Sequence, residues 1–564
     1  MTYITSSERH GKAHVHPVAV VGAGPVGMTL ALDLALRGTR VLLLDTSATT
    51  TTNPRCNTTN ARSMEYFRRL GLAGRIRRAG LPGDHATDVV YCTSMTGHEL
   101  TRFEFSSSDE VLDGSAAEFD DWPTPEPQHR ISQIYLEPVL DSACRDSGRI
   151  DVRRGHSVES VRDDGDAAVL SVRTGSGEQY EVAARYVVGC DGGASTVRRM
   201  IGAVLEGDGE VSERRHSVQF RSPSLAGMLG DRPGWMYWWY GRQFRGSLIR
   251  LDGGSLFLCH ARVPEGVDPD SVDTDVMLDD AIGRRLDDID TVGVVRWTAR
   301  RLVADRFRDG RILLAGDAAH LWLPLGGFGM NTGIGDAMAL SWRLHAVLSG
   351  WAGERVFDDY EGERRSVGEA TSRAALKIDS DMQEIARDPA LHEPGPLGAS
   401  LRRQAGARIE QIDRKQWYSQ GVQFGAKYSG TPGIDGEQDG DAAIASIGDY
   451  VPSVVAGARL PHHWRPGGDS LFDQVGDQFT LLRIGAGAPA AGPFAAAAAA
   501  AGIPLAVLDI DEPVDPAIYG DATMVLVRPD QVVAWSGPTA PADPGAVFSR
   551  LLGLATAMPV RHSA

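Results

Sequence analysis

An α/β protein in several parts is what the sequence predicts, and three observations predict it. Near the N-terminus a β-branched run, a glycine-rich turn, an apolar helix and a second apolar run follow one another, as in a Rossmann-like dinucleotide-binding unit. The middle of the chain alternates polar and apolar residues with a period of two, as strands of a half-buried sheet do. Beyond a stretch rich in Gly, Asp, Pro and Gln at about 385–450, a small α/β pattern starts afresh. At 564 residues the chain has room for about two to four domains.

Taken in order, VAVV (18–21) reads as a buried parallel strand and GAGPVG (22–27) as a turn. MTLALDLALRG follows as a helix ending at Gly38, and VLLLD (41–45) is the next strand. Residues 62–72 are amphipathic, with Met64, Phe67, Leu70 and Leu72 apolar among arginines. Residues 88–182 are irregular and strand-rich, with an acidic loop (106–127), a helix (133–147) and a hairpin-like stretch ending near 182. YVVGCDGGASTVRRMIG (186–202) is strand, turn and helix, and 204–300 returns to strands, among them the aromatic WMYWWYGRQF (235–244). RILLAGDAAH (311–320) is a buried strand that leads to a helix from about 332 to 349. FTLLRIG, an alanine-rich helix at 493–501, LAVLDI, ATMVLVRPD and VVAW make up the C-terminal unit. The expected division is a discontinuous nucleotide-binding domain (1–87, 183–204, 300–384), a sheet domain (88–182, 205–299), a linker with a helical connection (385–450) and a C-terminal domain (451–564).

Gly22, Gly24 and Gly27 form GxGxxG between strand and helix. The first glycine permits the tight turn, the second lets a pyrophosphate approach the backbone, and the third lets the helix pack on the sheet. Asp45 ends the next strand 18 residues on, where a carboxylate accepts hydrogen bonds from an adenosine ribose. Composition excludes other classes. Acidic residues exceed basic ones to give a net charge of −17, which argues against nucleic acid and anionic membranes as partners. No apolar run of about 18 residues is uninterrupted and the N-terminus lacks the apolar core of a secretory signal, so a soluble, cytoplasmic protein is expected. The five cysteines are scattered with no CxxC, which leaves neither a disulfide scaffold nor a cysteine-based zinc site, and no metal is expected. Four lysines among 57 basic residues suggest GC-rich coding.

GCDGGASTVRR (189–199) and RILLAGDAAHLWLPLGGFGMNTGIGDAMALSWRL (311–344), together with the first motif, resemble the flavoprotein aromatic hydroxylases, the para-hydroxybenzoate hydroxylase-like monooxygenases. The resemblance implies a Rossmann-like FAD-binding domain, an inserted β-sheet substrate domain and, from LVRPDQVVAWSG (526–537), a thioredoxin-like C-terminal domain as in the long phenol hydroxylase-type members. It implies that Asp191 and Gly192 belong to the family's DG motif. It also implies that Asp317 reaches the flavin ribityl chain, and that Pro324, Gly327, Gly329, Met330 and Asn331 belong to the turn passing the flavin ring. PRCNTTNARSMEYFRRLGL (54–72) and ISQIYLEPVL (131–140) are similar to segments that bring an arginine, here Arg55 or Arg62, and a glutamine, here Gln133, to the flavin. Phe328 stands where members often have Gln.

In the family a middle sheet roofs the flavin and holds the aromatic substrate. Alternate strand residues face one side, so either Tyr237 and Trp239 or Trp238 and Tyr240 line a pocket. Tyr237, Trp239, Arg245 and His216 are the first candidates for catalytic residues, with Arg214 and His260 as further polar partners. The implied activity is FAD-dependent hydroxylation of a phenolic or polyketide-derived aromatic, with NADPH or NADH as electron donor and O2 as co-substrate, through the flavin C4a-hydroperoxide. The same motifs also admit Baeyer–Villiger, epoxidising or decarboxylating oxygenation, and a flavin-binding protein without turnover. A homodimer is expected through the C-terminal domain.

Overall fold

Five parallel strands make the floor of the molecule, in the order Ile312–Leu314, Gln179–Gly189, Val15–Val21, Val41–Asp45 and Ile150–Arg154. The computed structural model describes residues 15–116, 122–230, 233–264, 266–385, 388–434 and 443–554. Val18, Val20, Leu42 and Leu43 are fully buried, as strands covered on both faces must be. Helices Pro25–Leu36 and Phe328–Ser349 pack against each other over this sheet. Strand order reverses about Val15–Val21, so the loops after four strands (Gly22, Asp45, Cys190 and Ala315) open together at the carboxyl ends, where α/β sheets bind ligands.

The expected boundary at 182 is corrected here. Ile150–Arg154 pairs with Val41–Asp45, and the hairpin His156–Asp163/Ala168–Thr174 pairs with the first half of Gln179–Gly189. Val158, Val161, Leu170 and Val172 bury into the same core as Val18–Val21. A strand-like pattern shows that a strand exists, but not which sheet it joins.

A seven-stranded sheet forms the roof, in the order Asp290–Trp297, Arg215–Arg221, Leu256–Arg262, Arg245–Arg250, Met236–Tyr240, Val89–Cys92 and Glu99–Phe103. Leu205–Glu210, expected in that sheet, pairs with Arg300–Ala304 instead. The 22-residue helix Pro396–Trp417 falls within the expected linker but belongs to the roof. A Cβ on its Gly406 would stand 2.2 Å from the carbonyl oxygen of Leu100, and its Ile409 and Trp417 share a core with Tyr91 and Trp238.

The helix Val356–Gln383 runs past all the parts. Its Glu363 bonds Arg528 at 2.7 Å, its Arg364 bonds Asp336 at 2.7 Å and its Asp379 bonds Arg262 at 2.7 Å. The C-terminal unit is thioredoxin-like, a βαβαββα succession with strand order Leu505–Ile510, Phe479–Ile484, Met524–Val527 and Val533–Gly537. It docks through buried ion pairs, Arg459 to Glu65 and Arg528 to Glu363. Among the described residues no helix is long and apolar enough to cross a membrane, and no cluster of three His, Cys, Asp or Glu is placed to hold a metal.

Candidate functional site

A single cavity of about 770 Å³ runs from the glycine turn to the underside of the roof. At its floor end Gly22 has φ +106° and leaves 2.3 Å between a would-be Cβ and the Cys190 carbonyl oxygen, so only glycine fits this turn. A Cβ on Gly27 would stand 1.9 Å from the Gly22 carbonyl oxygen, which is the close helix–strand approach expected of the third glycine. A Cβ on Gly24 would meet no protein atom within 4 Å, because Gly24 faces the cavity. Asp45 accepts from the amides of Ala23 (2.6 Å) and Ser47 (2.7 Å), which fixes its carboxylate on the wall. Arg154 and Glu137, which no motif singled out, line the same end. Arg154 donates to the Ala23 carbonyl, and Glu137 accepts from the Thr51 amide and from Gln133 Nε2, both at 2.7 Å. Burial raises the Glu137 carboxyl above its ordinary value.

The DG and GD loops meet over the strand ends. Asp191 accepts from Ser195 Oγ and from the amides of Thr196 and Val197. Arg198 bridges the two loops by donating to the carbonyls of Gly193 (2.7 Å) and Ala318 (3.0 Å). Asp191 and Gly192 line the cavity, as do Asp317, Arg55 and Gln133. Asp317 is exposed into it, and no described residue donates a hydrogen bond to its side chain. Its protein surroundings push the carboxyl upward, opposed by His320 and Arg55. Behind it lies a buried carboxylate without a motif, Asp336. This side chain accepts from the Gly316 amide (3.0 Å), His320 Nε2 (2.7 Å) and Arg364 Nε (2.7 Å) and so holds the GD loop. Pro324, Gly327, Gly329 and Met330 line the cavity where the helix Phe328–Ser349 begins. Gly326 and Gly327 take φ of +65° and +66° there, and the Phe328 ring packs under Gly326.

Two expected flavin contacts lie elsewhere. Arg62 is turned away from the cavity and donates to Glu65, Gln531 and the Asp530 carbonyl, because its helix face meets the C-terminal domain. Asn331 is not on the cavity wall. Its amide is consumed in tying the turn to the preceding segment, accepting from the Asn60 amide and donating to the carbonyls of Thr58 and Gly327.

The roof presents Met236, Trp238, Ser247, Ile249 and His260 to the cavity. Tyr237 and Trp239 are therefore on the wrong face. They pack with Val90, Phe220 and Leu278, and the Tyr237 hydroxyl accepts from the Gly234 amide. His216 is likewise on the far face, fully buried, with Nε2 3.0 Å from Thr274 Oγ1. Arg245 keeps the inward parity but directs its guanidinium to Glu213 at 3.4 Å. All five residues of Met236–Tyr240 are buried, so a strand covered on both sides gave no polarity difference by which to choose a face. The residues that reasoning missed are Arg215 and Arg262, both cavity-lining neighbours of His216 and His260. His260 is pushed down to about 4 by burial and by Arg215, so its ring is neutral. Trp297 Nε1 donates to Ser217 Oγ (2.8 Å) and Ser217 lies 2.6 Å from His260 Nδ1. Ser217 Oγ, with one hydrogen and two lone pairs, thereby engages Nδ1 of His260 and leaves Nε2 as the ring nitrogen with no hydrogen-bond partner among the described residues.

The open Gly24, the pinned Asp45 and the unpartnered Asp317 along one cavity fit a flavin adenine dinucleotide, from pyrophosphate and ribose to ribityl chain. Comparison with known proteins agrees. The FAD binding domain family model matches residues 16–375, and the aromatic-ring hydroxylase C-terminal model matches 453–555. A putative polyketide hydroxylase of Streptomyces halstedii is 35% identical over 80% of this chain and 77% of its own. The rebeccamycin biosynthetic enzyme RebC, solved with reduced flavin, superposes with a TM-score of 0.85 at 34% identity, covering 95% of this chain and 99% of its own. A ternary complex of aklavinone-11 hydroxylase with FAD and aklavinone gives 0.80 at 27% identity, over 96% and 100%. The chain belongs to the flavoprotein aromatic hydroxylase family of FAD-dependent monooxygenases.

Proposed function

We propose that the protein hydroxylates a phenolic or polyketide-derived aromatic compound, drawing electrons from NADPH or NADH and one oxygen atom from O2. The observation that carries this reading is the continuity of one cavity from the dinucleotide cradle to an aromatic-lined roof. FAD, held by these residues, would supply the redox chemistry that links a nicotinamide to oxygen. The chain's own residues bind, orient and exclude water. The amides at the start of helix Pro25–Leu36 would hold the pyrophosphate and Asp45 the ribose. Asp317 would hold the ribityl hydroxyls. The amides at the start of Phe328–Ser349 favour negative charge at the ring end. Met236, Trp238, Ile249, Leu323 and Leu325 make an apolar lid against water. His260, its Nδ1 held by Ser217, would present Nε2 to a phenolate oxygen. The experiment is the visible spectrum of the purified protein, then anaerobic NADPH addition with and without a panel of phenols and polycyclic quinones. Flavin bands that bleach faster with one aromatic are expected. A colourless protein that cannot be reconstituted with FAD overturns the reading.

A further inference from the structure

One arginine of the core has no anion of its own. Arg130 is 3% exposed, and among the described residues no carboxylate pairs with it. Its Nη1 donates to Thr58 Oγ1 at 3.0 Å, and its Nη2 is buried without a partner. The guanidinium lies 4.8 Å from the ring centre of Trp235, 5.3 Å from that of Phe105 and 5.5 Å from that of Trp417. These aromatic faces offset part of a cation's loss of water. Burial still brings Arg130 down to about 9, which leaves it charged at neutral pH. An unpaired buried charge is costly, and a methionine would fill the same cage without that cost. A charge kept there needs an anion that the chain itself does not supply.

The surroundings of Arg130 say where that anion lies. The Thr59 amide donates to the His129 carbonyl (2.8 Å) and the His129 amide to the Thr59 carbonyl (2.7 Å), and this bridge sets Arg130 beside Thr58. Thr58 lines the cavity, and a Cβ on Gly327 would stand 2.9 Å from the Thr58 Cβ. Thr58 therefore backs the glycine turn at which helix Phe328–Ser349 begins. Because a guanidinium only donates, Thr58 Oγ1 accepts from it, and the hydroxyl hydrogen has no acceptor among the described residues. The pair presents a donor, backed by a full positive charge, at the end of the cavity given above to the flavin ring.

We propose that Arg130, acting through the Thr58 hydroxyl, favours the reduced form of bound FAD and so raises its reduction potential. The inference rests on the FAD-dependent reading and adds a positioning residue to it. Uptake of two electrons and one proton leaves a flavin ring one unit more negative. A fixed cation nearby therefore stabilises the reduced ring more than the neutral oxidised one. A substrate phenolate is the other anion that could meet this pair. Thr58 backs the glycine turn, whereas the polar groups Ser247 and His260 face the cavity from the roof, and that favours the flavin.

The test is the two-electron midpoint potential of the FAD-loaded protein, read against a reference dye during slow reduction by xanthine and xanthine oxidase. Urea unfolding of each apoprotein and titration with 1-naphthol accompany it. Arg130→Met is expected to bind oxidised FAD within about threefold of the parent and reduced FAD at least about tenfold less tightly, a potential lower by about 30 mV. Its apoprotein should be at least as stable as the parent, since the unpaired charge is gone. Arg130→Lys keeps the charge and should recover at least half of the shift. Thr58→Val keeps the guanidinium and should shift the potential in the same direction as Arg130→Met. An unmoved potential in Arg130→Met overturns the inference: a less stable apoprotein then makes the arginine structural, and a tenfold loss of 1-naphthol affinity makes it a substrate contact. If Arg130→Met does not fold, an unmoved potential in Thr58→Val overturns the inference by itself. A parent protein that takes up no FAD overturns the monooxygenase reading and this inference together, whereas bound FAD at an unmoved potential overturns this inference alone.

Discussion

Gly24 and Gly27 are three residues apart in one motif, yet their α-hydrogens face different things. A methyl on Gly24 meets only the cavity, whereas one on Gly27 meets a backbone carbonyl at 1.9 Å. Gly24→Ala should leave the apoprotein within about 0.5 kcal/mol of the parent and weaken FAD at least about tenfold, because its methyl occupies ligand space. Gly27→Ala should cost about 1–3 kcal/mol through overpacking. Chemical denaturation of the apoproteins and FAD titration separate the two. Trp238 and Trp239 make a second contrast. Trp239→Ala removes a side chain with no exposure and should cost about 3–5 kcal/mol. Trp238→Ala, on the cavity wall, should chiefly alter which aromatics speed flavin reduction in stopped-flow traces. The placement of Gly22, Gly24 and Asp45 on one cavity was legible from spacing and strand ends, and that of Asp191 and Asp317 from the resemblance of their motifs. Tyr237, Trp239 and His216 were misplaced by one residue of parity, which in a doubly covered strand only the neighbouring layer decides.

At the scale of elements, the first turn of Phe328–Ser349 owes its place to contacts that no motif announces. Asp336, one face along that helix, holds the Gly316 amide, His320 and Arg364 at once. Burial alone would raise its carboxyl, but His320 and Arg364 more than offset that and hold it below the ordinary 3.8. Its contribution to stability is therefore complete above that value and is lost as pH falls through the lower folded one. Asp336→Asn should lose about 3–5 kcal/mol at neutral pH, and the gap from the parent should narrow in acid, as urea unfolding across pH 2–7 (roughly the carboxylate range) will show. A gap that does not change with pH would sink this account. Strands and helices were read correctly where periodicity was strong, but their assignment to sheets was not. Ile150–Arg154 and Pro396–Trp417 have ordinary patterns, and only long-range pairing sends the first to the floor and the second to the roof.

For the whole molecule, the thioredoxin-like unit is part of the folded core. Without it, Glu65 would lose Arg459, Glu363 would lose Arg528, and the core that Trp342 and Phe357 share with Phe479, Leu481 and Phe548 would be opened to water. A chain ending at residue 450 should therefore fail to give folded, flavin-binding protein, whereas Arg459→Lys should retain flavin with a lowered melting temperature; a truncated chain with normal FAD affinity would disprove the dependence. Arg62, expected at the flavin, belongs to this seam, a role visible only once the C-terminal domain is in place. The helix Val356–Gln383 joins the same parts at Glu363, Arg364 and Asp379. At 28 residues it is a rod of roughly 42 Å, pinned at those three stations to the C-terminal domain, the floor and the roof. Lifting the roof as a rigid body would have to sever at least one buried ion pair on this axle, so ligand traffic falls to local shifts of the loops at the rim, and the molecule breathes at its edges while its frame stays shut.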